Sequence, residues 1–210
     1  MIKYNKIETV FNRDTEGTKK LIEGSYRNPA VEYLKDNTWV FTEKIDGTNI
    51  GIVWDGHNIT YQGRTERAEI PKNLLSYLET TFGNSDTEEL FEQMFGEKEV
   101  ILFGEGYGGK IQAGGNYAPT ERFILFDVMI SGNYQPRETV EEISKSLGID
   151  IVPILLKGTI QEAINFVKQK PKSTIGTAVM EGLVGKPEIE LKDRCGNRLI
   201  IKVKVKDHTA

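Results

Sequence analysis

Residues 40–54 read VFTEKIDGTNIGIVW, and the reading of this stretch decides the rest. Its apolar and β-branched content predicts extended chain on both sides of Gly47. Alternate side chains of a strand share a face, so Val40, Thr42, Lys44 and Asp46 go one way and Phe41, Glu43 and Ile45 the other. Lys44, Asp46 and Asn49 are therefore crowded into a segment otherwise suited to a core. The lysine points either to water or into a site.

Working outward, Asp55-Gly56 is a hairpin signal, and HNITYQG (57–63) is the returning strand. Pro71 opens a helix, PKNLLSYLETTF, at the favoured first position. A second helix starts at Ser85, where Ser85-Asp86-Thr87-Glu88 fits a capping box, and turns Leu90, Phe91, Met94 and Phe95 inward. EVILFGEGY and ERFILFDVMI read as buried strands separated by a glycine-rich loop, GYGGKIQAGGNY. Residues 137–147 form a helix closed by Gly148, and IDIVPIL is extended. Thr159-Ile160-Gln161-Glu162 is a second capping box, and Pro171 ends its helix. VMEGLVGK, EIELK and RLIIKVKVK complete the strands, with DRCGN as the last turn. Few strand–helix–strand units occur at parallel-sheet spacing, which predicts an α+β fold of largely antiparallel sheets flanked by helices.

Length and composition bound the function. The 210 residues are 38% apolar and 28% charged, which suits one packed globular domain, 1–210. No run reaches the roughly 18 apolar residues of a membrane span, and the N-terminus, MIKYNKIETVFNRD, has no apolar signal region. A cytoplasmic protein is expected. The lone Cys195 excludes an internal disulfide and a cysteine metal cluster, and two histidines, His57 and His208, argue against a histidine zinc site. A net charge of −4 argues against broad nonspecific nucleic-acid binding. It leaves room for local contacts, for which Arg64, Arg67, Lys110 and Lys186 are candidates.

Lysine is a nucleophile only as the neutral amine, roughly one molecule in a thousand near neutral pH at its ordinary pKa of about 10.4. Nearby cations or apolar walls raise that fraction. The C-terminal run Leu199–Lys206 offers such cations, with lysines on one face and Ile201, Val203 and Val205 on the other. Taken alone, that pattern is a lysine-protected edge strand. Glu105 and Glu181 each stand where an apolar strand meets glycine, and a carboxylate buried there requires a cation or hydroxyl partner. Arg64 follows a strand and a glycine; Phe126, in ILFDV, is by default a core aromatic.

Together these pieces form an ordered series: KIDGTN (44–49), GRTER (63–67), LFGEGYG (102–108), LFDV (125–128), MEGLVG (180–185) and IIKVKVK (200–206). In this order they resemble the motifs of the covalent nucleotidyltransferases, which comprise RNA ligases, DNA ligases and mRNA capping enzymes. The nearest likeness is to ATP-dependent RNA ligases of the second, bacteriophage-type class, whose lysine motif often continues G-T-N, as Gly47-Thr48-Asn49 does here. K-x-D-G alone is a weak signal; six motifs in order across most of the chain are a specific one.

The resemblance implies an ATP-grasp-related nucleotidyltransferase fold and a reaction in three steps. Lys44 attacks the α-phosphorus of ATP, the AMP passes to a 5′-phosphate, and a 3′-hydroxyl closes the strand. It places Lys202 and Lys204 around the α-phosphate, Glu105 on the ribose, Arg64 near ribose and phosphate, and Phe126 and Val184 on the two faces of adenine. Glu181 is implied to help hold Mg²⁺ or Mn²⁺, Asp46 to be the acid of the lysine motif, Asn49 to lie near phosphates or metal-bound water, and Glu43 to lie at the base edge. The expected partner is nucleic acid, RNA rather than DNA, and the expected state a monomer without a separate C-terminal OB-fold or helical domain. A capping-type guanylyltransferase, a DNA ligase catalytic domain and a degenerate nucleotide-binding module are the alternatives. Intact Lys44, Glu181, Lys202 and Lys204 weigh against the last.

Overall fold

The computed structural model describes residues 1–65 and 68–209. Along the chain run β1 (Glu8–Thr9), β2 (Phe11–Arg13), β3 (Leu21–Tyr26), α1 (Pro29–Tyr33), β4 (Trp39–Lys44), β5 (Thr48–Trp54), β6 (Ile59–Gly63), α2 (Lys72–Phe82), α3 (Ser85–Phe95) and β7 (Val100–Gly108). They continue as β8 (Glu121–Ile130), β9 (Asn133–Tyr134), α4 (Arg137–Leu147), β10 (Asp150–Ile151), β11 (Ile154–Gly158), α5 (Ile160–Lys168), β12 (Gly182–Pro187), β13 (Ile201–Lys204) and α6 (Val205–His208). The expected α+β class of largely antiparallel sheets with flanking helices is what forms.

Two compact units divide the chain: Met1–Tyr4 with Asp46–Val152, and Asn5–Ile45 with Pro153–Ala210. In the first, the sheet order is β10-β8-β7-β5-β6, with β9 on β8. Leu74, Leu78 and Phe82 recur every four residues along α2 and so form one apolar stripe. That stripe, Phe91 and Phe95 of α3, and Val140 and Ile143 of α4 pack on Ile50, Ile52, Trp54, Leu102, Leu125 and Val128 of the sheet. One sheet face is thereby spent on the core. Asn49 and Glu105, at the alternate positions, stand on the other.

In the second unit the order is β1-β13-β12-β4-β11, and β2 and β3 form a separate pair. Trp39, Phe41, Leu183, Ile201 and Val203 bury one face against Ile160, Ala163, Ile164 and Val167 of α5. The capping box at Thr159 and Glu162 starts α5 as expected, and Gly148 closes α4 in the left-handed conformation.

Four local expectations are corrected. Asn84, not Ser85, caps α3, because its carboxamide accepts from the Thr87 N–H. Pro71 stands at the cap of α2, one residue before its first turn. EIELK forms no strand: a bridge between Lys192 and Arg198, the Leu199 N–H on the Leu191 carbonyl and the Glu190–Arg198 ion pair hold it, and Ile189 is exposed. The lysine strand stops at Lys204, where the backbone turns helical at Val205. Residues 1–37, whose pattern gave no sequence signal, supply β1–β3 and α1.

Candidate active site

In the second unit, Lys44 is the last residue of β4 and pairs with Gly182; Gly182 pairs on its other side with Lys204. Both lysines therefore stand on one face, flanking the same residue of the middle strand. Glu181 precedes that residue, and its carboxylate takes both ammonium groups. Lys44 Nζ donates to Oε2 at 2.6 Å, and Lys204 Nζ pairs with Oε1. The three side chains keep 14–20% of their surface accessible, enough to be reached yet largely shielded from solvent. Gly182 makes the approach feasible. Its φ is +154°, and a Cβ there would run into the Val203 carbonyl oxygen and the Lys204 Cα.

The next row of the same face is Thr42, Val184 and Lys202, and the row beyond it sets Lys186 against Val40. Glu43 departs from this face. It is 1% exposed and lies on the side of β4 that carries Phe41. Its Oε2 accepts the Thr174 N–H at 3.0 Å and the Thr174 hydroxyl at 2.5 Å. The resemblance puts Glu43 at the base edge; in this fold its carboxylate clamps the loop that leads toward Glu181. Glu43 Oε1 is buried with no hydrogen-bond partner among the described residues.

The first unit carries the remaining candidates. Asn49 pairs with Glu105 and Glu105 with Ile124 across β5, β7 and β8. Opposed residues of antiparallel strands hold their Cβ atoms about 4.5–5.5 Å apart, so the amide and the carboxylate are neighbours. Arg64 follows Gly63, the partner of Ile50, so it stands one step past β6 beside the Asn49 position, exposed. Gly47 faces the Gly106 carbonyl and the Glu105 Cγ at a separation no Cβ would fit, which accounts for the glycine of the lysine motif. Asp46 donates its N–H to Tyr117 Oη at 3.2 Å, tying the motif's turn to the glycine-rich loop.

Phe126 owes its position to a β-bulge. Phe103 pairs with Asp127 and Gly104 with Leu125, so Phe126 is the extra residue, opposite nothing on β7. It is half-buried rather than part of the closed core, and its ring meets the edge of Tyr4 at 4.9 Å. Arg67 lies outside the described residues, and Lys110 is exposed on the glycine-rich loop.

The sequence reading missed Thr174, Tyr117 and Tyr4. Each acts through a side chain whose partner is 71 to 131 positions away, and no local pattern marks them. As for a metal, the described residues contain no cluster of three His, Cys, Asp or Glu. A single carboxylate at Glu181 suits Mg²⁺, which takes one or two protein carboxylates and fills its shell with phosphate and water oxygens.

Against known proteins, the family model for RNA ligase matches residues 37–204. The chain belongs to the RNA ligase family. The matched span contains every candidate residue, from Glu43 to Lys204. Solved structures of Naegleria gruberi RNA ligase variants share the family's fold with this chain. One with AMP and Mn superposes with a TM-score of 0.65 at 20% identity, over 86% of this chain and 54% of its own. Another, with ATP and Mn, gives 0.68 at 20% identity over 97% of this chain and 56% of its own. The chain thus spans little more than half the length of these neighbours. None of the curated proteins compared with it matches.

Proposed function

We propose that this RNA ligase family chain is an ATP-dependent adenylyltransferase that joins RNA ends through a lysyl–AMP intermediate. The convergence of Lys44 and Lys204 on the Glu181 carboxylate carries the reading. In the first step Lys44 Nζ forms a bond to the α-phosphorus of ATP, the bond to the bridging oxygen breaks, and pyrophosphate leaves with that electron pair. The proton lost from Nζ has an acceptor in hydrogen-bond contact, Glu181 Oε2. Lys202 and Lys204 then stabilise the charge that builds on the phosphoryl oxygens.

Glu181 is the residue that would hold a divalent cation, and the chemistry supplied there is neutralisation of phosphate charge. On the first unit, the family resemblance assigns Asn49, Glu105 and Arg64 to ribose and phosphates and Phe126 to a base; on the second, it assigns Val184 to an aliphatic base contact. The AMP next passes to a 5′-phosphate, and a 3′-hydroxyl displaces it. RNA ends are the proposed substrate, with the protein acting as a cytoplasmic monomer. Glu43, clamped to Thr174, supports the site from behind.

Incubation with α-labelled ATP and Mg²⁺ or Mn²⁺ tests the reading. Wild type should take up label, seen also as a mass gain of about 329 Da, the mass of AMP less water required by covalent catalysis. Lys44→Ala should take up none, and Lys204→Ala should be slower by about 10²–10³, the usual effect of removing one charge-stabilising group. Chelation of the divalent cation should stop labelling. A preference for GTP would point instead to capping chemistry. Sealing of nicked duplexes only when both flanks are DNA would move the substrate from RNA to DNA. Unlabelled wild type, shown by mass to carry no AMP beforehand, would end the proposal.

A further inference from the structure

Residues 1–4 belong to the first unit and cross the open face of its sheet. Gln62, Gly51, Phe103 and Asp127 are lateral neighbours on β6, β5, β7 and β8 and form one row of that face. At one end of the row Gln62 Nε2 donates to the Ile2 carbonyl at 2.6 Å. At the other the Tyr4 hydroxyl donates to Asp127 Oδ2 at 2.5 Å. The N-terminal segment is thus a strap pinned at both ends.

Its last residue does more than fill space. The Tyr4 ring meets Phe103 at 5.1 Å, Phe126 at 4.9 Å and 63°, and Tyr134 at 6.0 Å and 90°. Asp127 is 2% exposed, so its carboxylate depends on partners such as this hydroxyl. Phe126, as the bulge residue, has no ladder neighbour on β7 to set its direction. Among the described residues, Tyr4 is the ring that touches it. Edge-to-face contact fixes the plane of an aromatic ring, and that plane decides whether a base can stack on it.

We propose that Tyr4, locked by Asp127, is a positioning residue for nucleotide binding: it holds the Phe126 ring in the plane on which the purine stacks. The inference rests on the adenylyltransferase reading, with Phe126 as the base platform. It predicts that Tyr4 governs affinity for the base and leaves affinity for ribose and phosphates alone.

The test is equilibrium binding by calorimetry, with two probes: α,β-methylene-ATP, which cannot transfer AMP, and ribose 5′-triphosphate, which has no base. Tyr4→Leu should weaken the first at least about fivefold, a fraction of what base stacking contributes, and leave the second unchanged. Tyr4→Phe, which keeps the ring and loses the Asp127 bond, should fall between Leu and wild type. In a Phe126→Ala background, Tyr4→Leu should have no further effect. Thermal melts show that each variant is folded, and Tyr4→Phe keeps the test open if Tyr4→Leu is not. Equal weakening of both probes makes Tyr4 a general structural residue and overturns the proposal. Unchanged binding of α,β-methylene-ATP by the folded variants overturns it as well. Wild type that binds neither probe overturns the nucleotide reading itself, a different failure from wild type that binds and variants that bind equally well.

Discussion

Gly182 shows how much can hang on one residue. It pairs with both lysines, and its backbone occupies a region that favours glycine, at φ +154°. Gly182→Ala should lower stability by about 1–3 kcal/mol, the usual range for a side chain forced into such a conformation. Urea unfolding would measure that. The same change should slow self-adenylation more than Val184→Ala does, because it pushes Lys204 away from Glu181. A variant with wild-type stability and rate would show that the three strands give way freely. The sequence announced this residue only as part of a motif. Why glycine is needed there became visible with the Val203 carbonyl lying against it. Thr174 is the opposite case: nothing near it in sequence marks it, and it is the partner of the buried Glu43.

Elements were legible wherever their signals are local. The capping box of α5 is one such signal: Thr159 accepts from the Glu162 N–H, and Glu162 answers by accepting from the Thr159 N–H. Thr159→Ala should cost about 1 kcal/mol, measurable as a fall in denaturation midpoint. The Thr159 backbone N–H, foremost, and then its hydroxyl hold the Glu162 carboxyl below the ordinary value of 4.5. The cap's charge-assisted part is therefore present above that value and lost as pH falls through the lower one. A Thr159→Ala penalty that stayed constant down to about pH 3 would contradict this. Other element boundaries depended on distant partners. The lysine alternation of 199–206 reads as one strand, yet only Ile201–Lys204 finds a ladder on β12. The bulge at Phe126 arises from a one-residue mismatch between β7 and β8, which neither strand's own pattern records.

At the scale of the molecule, acid response has an identifiable contributor. His208 packs near Phe11, and its Nε2 is buried without a hydrogen-bond partner among the described residues. Burial, above all, pushes the imidazole below its ordinary 6.5, while Asp207 pulls it back up. The unfolded chain therefore binds this proton at a higher pH than the folded one. The stability at stake is intact above 6.5 and drains as pH falls through the lower folded value. His208→Gln should lose less stability than wild type between about pH 7.5 and pH 5, followed by urea midpoints. Parallel losses in the two proteins would remove His208 from the account.

The sequence by itself determined the α+β class, most helix and strand positions, and the order of the six motifs, because these follow from periodicity, caps and residue chemistry over a few positions. Tertiary structure alone decided that Lys44 and Lys204 meet at Glu181, that Phe126 stands on a bulge, and that Tyr4 and Thr174 brace residues far along the chain. Such contacts depend on the register of strands remote in sequence, and register is set by the packing of whole sheet faces rather than by any one segment.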